Sequence, residues 1–359
     1  MSSSVYAFLP IADGLHWRSM NDSRLGFMVN GQQPMALRIA AARSAEAAGF
    51  ASVWTADGAG DVLITLTAFA LNTTRIRIGS GVLVWNRPPV ITAIAAAQLA
   101  ELTEGRFILG LGAGPREWNE RWWGIPFDRP VGRMREYVEV IRGALAASPN
   151  EPYQYHGQHF RIDGLVRAFQ RTGRTLAAVP PIWLGTTGPQ MTRLAGRIAD
   201  GVLLNPALSG RYLATVAVPA LLSGVRSARR DRTALTIGAL FSCVVDSDER
   251  VALRRVKATI LAQITRDYFV RVWQSDGFSD DVARAQARWL AGDVEGALDA
   301  ISDEFASTVC IAGTADRCRK RVAELLDIVD HAVLVVPTFM TDEATWLANC
   351  QALFEAFAR

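Results

Sequence analysis

The chain of 359 residues is short of lysine: among 38 Lys plus Arg, only Lys257 and Lys320 are lysines. Both fall in runs that read as amphipathic helices, ERVALRRVKATI and DRCRKRVAEL. A Schiff-base lysine has to be desolvated at a strand end, so aldolase and pyridoxal-phosphate chemistry are disfavoured. Cysteine is scarce too. Cys243, Cys310, Cys318 and Cys350 form no CxxC pair, which disfavours a zinc or redox motif and leaves buried thiols in a reducing compartment. Charge of one sign is also missing: the net charge of +3 and the lack of a basic block disfavour nucleic acid as a partner. No apolar run reaches membrane-spanning length. The start, MSSSVYAFLP, lacks a charged n-region and a long h-region, so a cytoplasmic protein with no membrane partner is expected.

What is present is half hydrophobic and one-fifth charged, enough for one large core. The organising stretch is TRIRIGSGVLVWNRPPVITAIAAAQLAELTEGRFILGLGAGPREWNERWWGIP, residues 74–126. Residues 76–84 form a β-branched run of the kind buried on both faces. Pro88 and Pro89 open a helix that ends near Thr103, and residues 107–111 form the next strand, running into Gly112-Ala113-Gly114. This is a parallel strand–helix–strand unit. Gly79 and Gly81 interrupt its first strand, which marks either a bend or a close approach of backbone to a ligand.

The GSGVLV strand, the Pro-initiated helix, GRFILGLGAG and the following WNE resemble the bacterial luciferase-like superfamily, in particular its deazaflavin (coenzyme F420) dependent branch. That branch is similar to methylenetetrahydromethanopterin reductase. The resemblance implies an α/β fold, a (β/α)8 TIM barrel with insertions. It implies an enzyme, an oxidoreductase passing hydride between coenzyme F420 and a small organic substrate. It also implies a non-prolyl cis peptide in the third strand, at Gly81–Val82 or alternatively Ser80–Gly81. Two other readings stay open: an FMN-dependent luciferase-like monooxygenase, and a non-catalytic flavin-binding protein. The GLGAG turn favours the deazaflavin.

Taken in order, the expected barrel strands are residues 5–10, 50–56, 76–84, 107–111, 182–184, 201–205, 235–245 and 332–336. One domain over 1–359 is expected, with insertions near 11–31, 148–178 and 255–305. Long loops at strand C-terminal ends carry function. The 11–31 loop therefore offers His16 as a catalytic candidate and Trp17 as a substrate contact, the alternative being aromatics packed on the barrel rim. Asp57 ends the second strand and is a catalytic candidate, since a carboxylate at the C-terminal end of a barrel strand reads as a site residue. Trp54 in the same strand is assigned to the substrate.

The relatives have an Asp-His pair where this chain has Asp57-Gly58, and some have a glutamate where Pro115 stands. The nearest carboxylates to Pro115 are Glu117 and Glu120, and Glu120 is the third catalytic candidate. Cofactor contacts are expected from Gly81, Val82, Asn86, Gly112, Gly114 and Asn119. Gly188 and Pro189 read as the N-cap and first residue of a helix. With Thr186, Thr187 and Gln190 they make an anion site, which in the family receives the cofactor phosphate. Arg116 and Arg121 are set to meet an anionic tail or to stand solvated in the loop. His156 and His159 lack further ligands of metal type, so no metal site is expected. Trp273, Phe278 and Trp289 are expected to cover the barrel mouth, and Thr314 to cap a helix. Beyond the small-molecule substrate, a homodimer is left open.

Overall fold

The computed structural model describes residues 23–58, 60–166 and 179–358. Eight barrel strands alternate with helices: β1 Leu25–Met28, β2 Ser52–Thr55, β3 Arg77–Ser80, β4 Phe107–Gly112, β5 Ile182–Thr186, β6 Gly201–Leu204, β7 Thr236–Val245 and β8 His331–Val335. Each pairs in parallel with the next, and β8 closes on β1 in the register Leu25↔Ala332 to Met28↔Val335. The ring is a (β/α)8 barrel, as expected.

One strand is not where the sequence pattern put it. The expected strand at 5–10 lies outside the described residues, and β1 falls inside the segment read as a long loop. LGFM is only four residues long, set between the polar stretches NDSR and VNGQQ, too short to show a period. The other seven agree to within a few residues. β7 is ten residues long and outruns its neighbours; its far half pairs with a short parallel strand, Ile311–Gly313.

Two cores result. The outer one lies between strands and helices and holds Phe27, Phe50, Leu66, Phe69 and Phe107, all buried. The inner one fills the barrel with Met28, Trp54, Ile108, Trp183, Leu203, Leu240, Val333 and Val335. Trp54 and Trp183 meet at 5.1 Å between ring centroids. They fit because glycines face them: a Cβ on Gly79 would lie 2.3 Å from Trp54, and one on Gly201 would lie 2.3 Å from Trp183. Trp54 Nε1 donates to Ser52 Oγ at 2.6 Å, and the same hydroxyl shares a hydrogen bond with His331 Nε2 at 2.7 Å. His331 is fully buried, and burial, with the Arg77 charge second, pushes its pKa down to about 3.

The helical segment between β7 and β8 runs from Glu249–Leu261 through Asp267–Ser275, Ser279–Leu290 and Val294–Asp299 to Asp303–Val309. Trp273 and Phe278 are buried inside this segment, and Trp273 Nε1 donates to the Ala207 carbonyl beyond the C-terminal end of β6 at 2.8 Å. Trp289 packs edge-on against Phe339. Among the described residues no helix is long and apolar enough to cross a membrane.

Candidate functional site

β3 stops at Ser80, and the chain resumes pairing at Leu83–Val84 beside β4. Between them the Gly81–Val82 peptide is cis, the first of the two bonds expected. This bulge is stitched from both sides. Gly81 N–H donates to Thr55 O at 2.7 Å and Asp57 N–H to Val82 O at 3.0 Å, while Trp85 N–H reaches Gly112 O at 3.2 Å. Ser80 Oγ donates to Gly110 O and accepts from Gly110 N–H, both at 2.8 Å. A Cβ on Gly110 would stand 1.8 Å from the Ser80 carbonyl, so the two backbones approach closely only because position 110 has no side chain.

The Val82 side chain lies across the ends of the next two strands. A Cβ on Gly112 would be 2.3 Å from Val82 Cγ2, and one on Gly185 would be 2.5 Å from Val82 Cγ1. Bare backbone at 112 and 185 therefore lets Val82 form an apolar shelf over the C-terminal ends of β4 and β5. The C-terminal face is where barrel enzymes build their sites.

Asp57 holds this shelf rather than facing the mouth as a free acid. Its side chain is 6% exposed. Oδ2 accepts from Val84 N–H at 2.9 Å and from Arg87 Nη1 at 3.0 Å; Oδ1 accepts from Val62 N–H at 3.1 Å. Arg87 also reaches Asp61 at 2.7 Å and Asn86 Oδ1 at 3.1 Å. Arg87 was missed in the sequence. Its signal is two acids four residues apart, Asp57 and Asp61, with one arginine just before Pro88-Pro89.

Asn119 is likewise a positioning residue. It is fully buried; its Oδ1 accepts from Trp85 Nε1 at 2.7 Å, and its Nδ2 donates to Ala113 O and Pro115 O, each at 2.9 Å. Both protons of its carboxamide nitrogen are used on these carbonyls, so the side chain pins the turn after Gly112, where Gly114 has φ +69°. The π-helical turn Trp118–Trp122 follows. Glu120 sits on its outer side, paired with Arg116 at 2.6 Å, and Glu117 pairs with Arg121 at 3.1 Å. Those are solvated i,i+4 pairs, so the arrangement gives no support to Glu120 as an acid at the mouth. Trp118 stands over Gly58, 3.6 Å from where a Cβ would be, and stacks on Trp122 at 5.0 Å.

Trp54, assigned to the substrate, is wholly inside the barrel core and cannot touch one. His16 and Trp17 lie outside the described residues. In the hairpin of Tyr153–His156 and Arg161–Leu165, His156 meets Asp163 at 2.6 Å, and the amides of Gln158, His159 and Phe160 donate to buried Glu136.

Helix Pro189–Ile198 starts where β5 ends, with Gly188 as its N-cap and Pro189 first. Among the described residues no side chain caps it, so the amides of Gln190 and Met191 point back over the strand ends with the positive pole of the helix behind them. Thr187 is exposed there. Thr186 is not available: it is buried, and Thr192 Oγ1 donates to its hydroxyl at 3.0 Å. Asn205, another residue missed in the sequence, donates to the Thr186 carbonyl at 3.3 Å and fixes the turn from β6.

Residues 22–331 match the luciferase-like monooxygenase family. The chain belongs to that family. Among its luciferase-like relatives, the 5,10-methylenetetrahydromethanopterin reductase of Methanolobus tindarius is 33% identical over 80% of this chain and 86% of its own length. The enzyme of that name from Archaeoglobus fulgidus is 32% identical over 78% and 83%. The same luciferase-like barrel occurs in the coenzyme F420-dependent tetrahydromethanopterin reductase structure from Methanopyrus kandleri. The two superpose with a TM-score of 0.78 at 24% identity, covering 93% of this chain and 99% of that one.

Proposed function

We propose that this chain is an oxidoreductase that uses coenzyme F420 to move hydride to or from a small organic substrate. The observation that carries the reading is the pairing of an apolar shelf with an anion pole on neighbouring strand ends. Val82 lies flat over Gly112 and Gly185, and the uncapped helix start at Gly188 follows β5. A planar ring with a phosphate tail fits that pair, and the names carried by the relatives support it. When bound, the deazaflavin supplies a ring carbon that gives or accepts hydride.

The chain's own contribution is support and orientation. Val82 backs one face of the ring, and Asp57 and Arg87 hold Val82 in place. The amides of Gln190 and Met191, with exposed Thr187, receive the phosphate, while Gly188 lets it approach. The apolar Val82 side chain keeps water off the ring face it covers. Asp57 and Asn119 thus act through the backbone they hold.

Titration of the protein with F420 and with FMN, followed by fluorescence, tests the reading. F420 is expected to bind about tenfold tighter or better. Equal affinity, or tighter FMN, overturns the deazaflavin and favours the oxygen-using branch.

A further inference from the structure

Helix Met35–Ala47 follows β1 and helix Val62–Asn72 follows β2, so both begin on the face of the barrel that carries the Val82 shelf. Arg38, the fourth residue of the first helix, is only 9% exposed. Its Nη1 donates at 2.7 Å to Oγ1 of Thr65, in the first turn of the second helix. Gly60 stands close by: a Cβ there would lie 3.6 Å from Arg38 Nη1 and 4.0 Å from the Gly31 carbonyl oxygen. The guanidinium is thus held between the two turns that leave β1 and β2.

That is an unfavourable place for a bare cation. A guanidinium brings five N–H donors, and among the described residues Thr65 is the acceptor it meets. Nε is buried with no acceptor. Nη2 makes no hydrogen bond either, but it is not buried and can be met from solvent. No described carboxylate pairs with Arg38. Asp57 and Asp61, on the turn after β2, are taken by Arg87 and by the amides that open helix Val62–Asn72. Burial lowers the pKa of Arg38, and no acid offsets it.

The helix that carries Arg38 works in the same direction. Its N-cap is Pro34, no described side chain caps it, and its first turn holds no acid. The positive pole of the helix therefore stands beside a positive side chain, with nothing to neutralise either. A buried charge without a partner is strongly destabilising, and an oxyanion supplies both the acceptors and the charge that are missing.

We propose that this gap is an oxyanion subsite of the barrel mouth, and that the substrate is an organic anion whose carboxylate or phosphate sits on Nη2 of Arg38. The proposal rests on the mouth being the reaction site, and it adds the class of substrate. The helix start at Gly188 is left to the cofactor, since it follows β5, which faces β1 across the ring.

Calorimetric titration with inorganic phosphate and with succinate, at constant ionic strength, tests it. Both titrations use the Gly188→Glu protein, in which the helix start after β5 cannot take the probe. One of the two anions is expected to bind with a dissociation constant below about 1 mM, and the tighter one gives the group the substrate carries. Arg38→Met in that background is expected to bind at least about tenfold more weakly. Gly60→Asp places a carboxylate beside Nη1 and is expected to weaken binding as much, with Arg38 still present. No heat from either anion up to about 10 mM overturns the proposal, as does binding that survives both substitutions. With Gly188 intact, F420 affinity is expected to be unchanged by Arg38→Met. A loss of about tenfold or more would put the cofactor on Arg38 and overturn the substrate assignment. A protein that takes phosphate or succinate through Arg38 but binds no F420 would lose the cofactor reading alone.

Discussion

Arg87 Nη1 lies 3.0 Å from Oδ2 of Asp57, closing the chain that leaves the Gly81–Val82 bulge onto the end of β2. The same oxygen takes the Val84 amide, so one carboxylate fixes two points just beyond the shelf. A second acid, Asp61, holds the other arm of Arg87 and caps helix Val62–Asn72 through the amides of Leu63 and Ile64. The arrangement is a clamp, and its chemistry is structural.

Asp57→Asn is therefore expected to lower stability and F420 affinity together. Losing the charge in a pair that is mostly buried on one side costs roughly 2–3 kcal/mol, below the ~3–5 kcal/mol of a fully buried pair because Arg87 stays partly solvated. Urea unfolding of the protein without cofactor reads the first effect, and fluorescence titration the second. The rate at saturating F420 is expected to fall less than about tenfold. A rate lowered about 10²-fold or more, with stability and affinity intact, would return Asp57 to a role in proton transfer.

The barrel was largely legible because buried strands and Pro-started helices leave one-dimensional marks. Val82 and Gly188 could be placed for the same reason, each standing beside a glycine or proline that the backbone needs. Asp57 and Asn119 were not legible. A polar side chain looks the same in sequence whether it faces a ligand or the protein's own backbone, as Asp57 does with the Val84 and Val62 amides and Asn119 with the Ala113 and Pro115 carbonyls. Trp54 misled in a similar manner, since strand alternation does not tell the inside of a barrel from its mouth without the Gly79 opposite it. Thr186 and Thr187 are adjacent, and only the bond to Thr192 separates the inward one from the exposed one.

Acid should expose the polar chain at the centre of the barrel. His331 titrates near its ordinary 6.5 in the unfolded chain but is held down to about 3 in the folded one. Below pH 6.5 the unfolded state takes up a proton that the folded state refuses, so stability is lost as pH falls towards 3. The loss is at most about 1.4 kcal/mol per pH unit. His331→Asn is expected to be less stable than the parent at pH 8, yet to lose less on acidification. Unfolding free energies from pH 8 down to about 4.5 decide this. Parallel curves for the two proteins would show that His331 is not the group titrating.

Gly188 has an extended backbone, φ −103°, and a Cβ there would meet nothing within 4 Å. Gly188→Glu should therefore fold normally while placing a carboxylate over the helix start. F420 affinity is expected to fall by roughly 10²-fold or more, near 3 kcal/mol, with the unfolding midpoint of the unliganded protein little changed. Normal affinity in this variant would place the phosphate elsewhere.

The shelf itself is tested by a double-mutant cycle. In Gly112→Ala the new Cβ would sit 2.3 Å from Val82 Cγ2, closer than real Cβ contacts come, so Val82 must move. Overpacking of this kind costs about 1–3 kcal/mol. Val82→Ala alone removes two methyl groups from the strand ends and reduces ring support without a clash. In the double variant the new methyl takes the space the valine vacates. Its cost should therefore be smaller than the two single costs added together, by about 1 kcal/mol or more, a coupling typical of residues in contact. F420 affinity should fall in both single variants and recover in part in the double one. Strictly additive stabilities would mean that Val82 does not lie over Gly112. The flat surface on which the cofactor reading depends would then be absent.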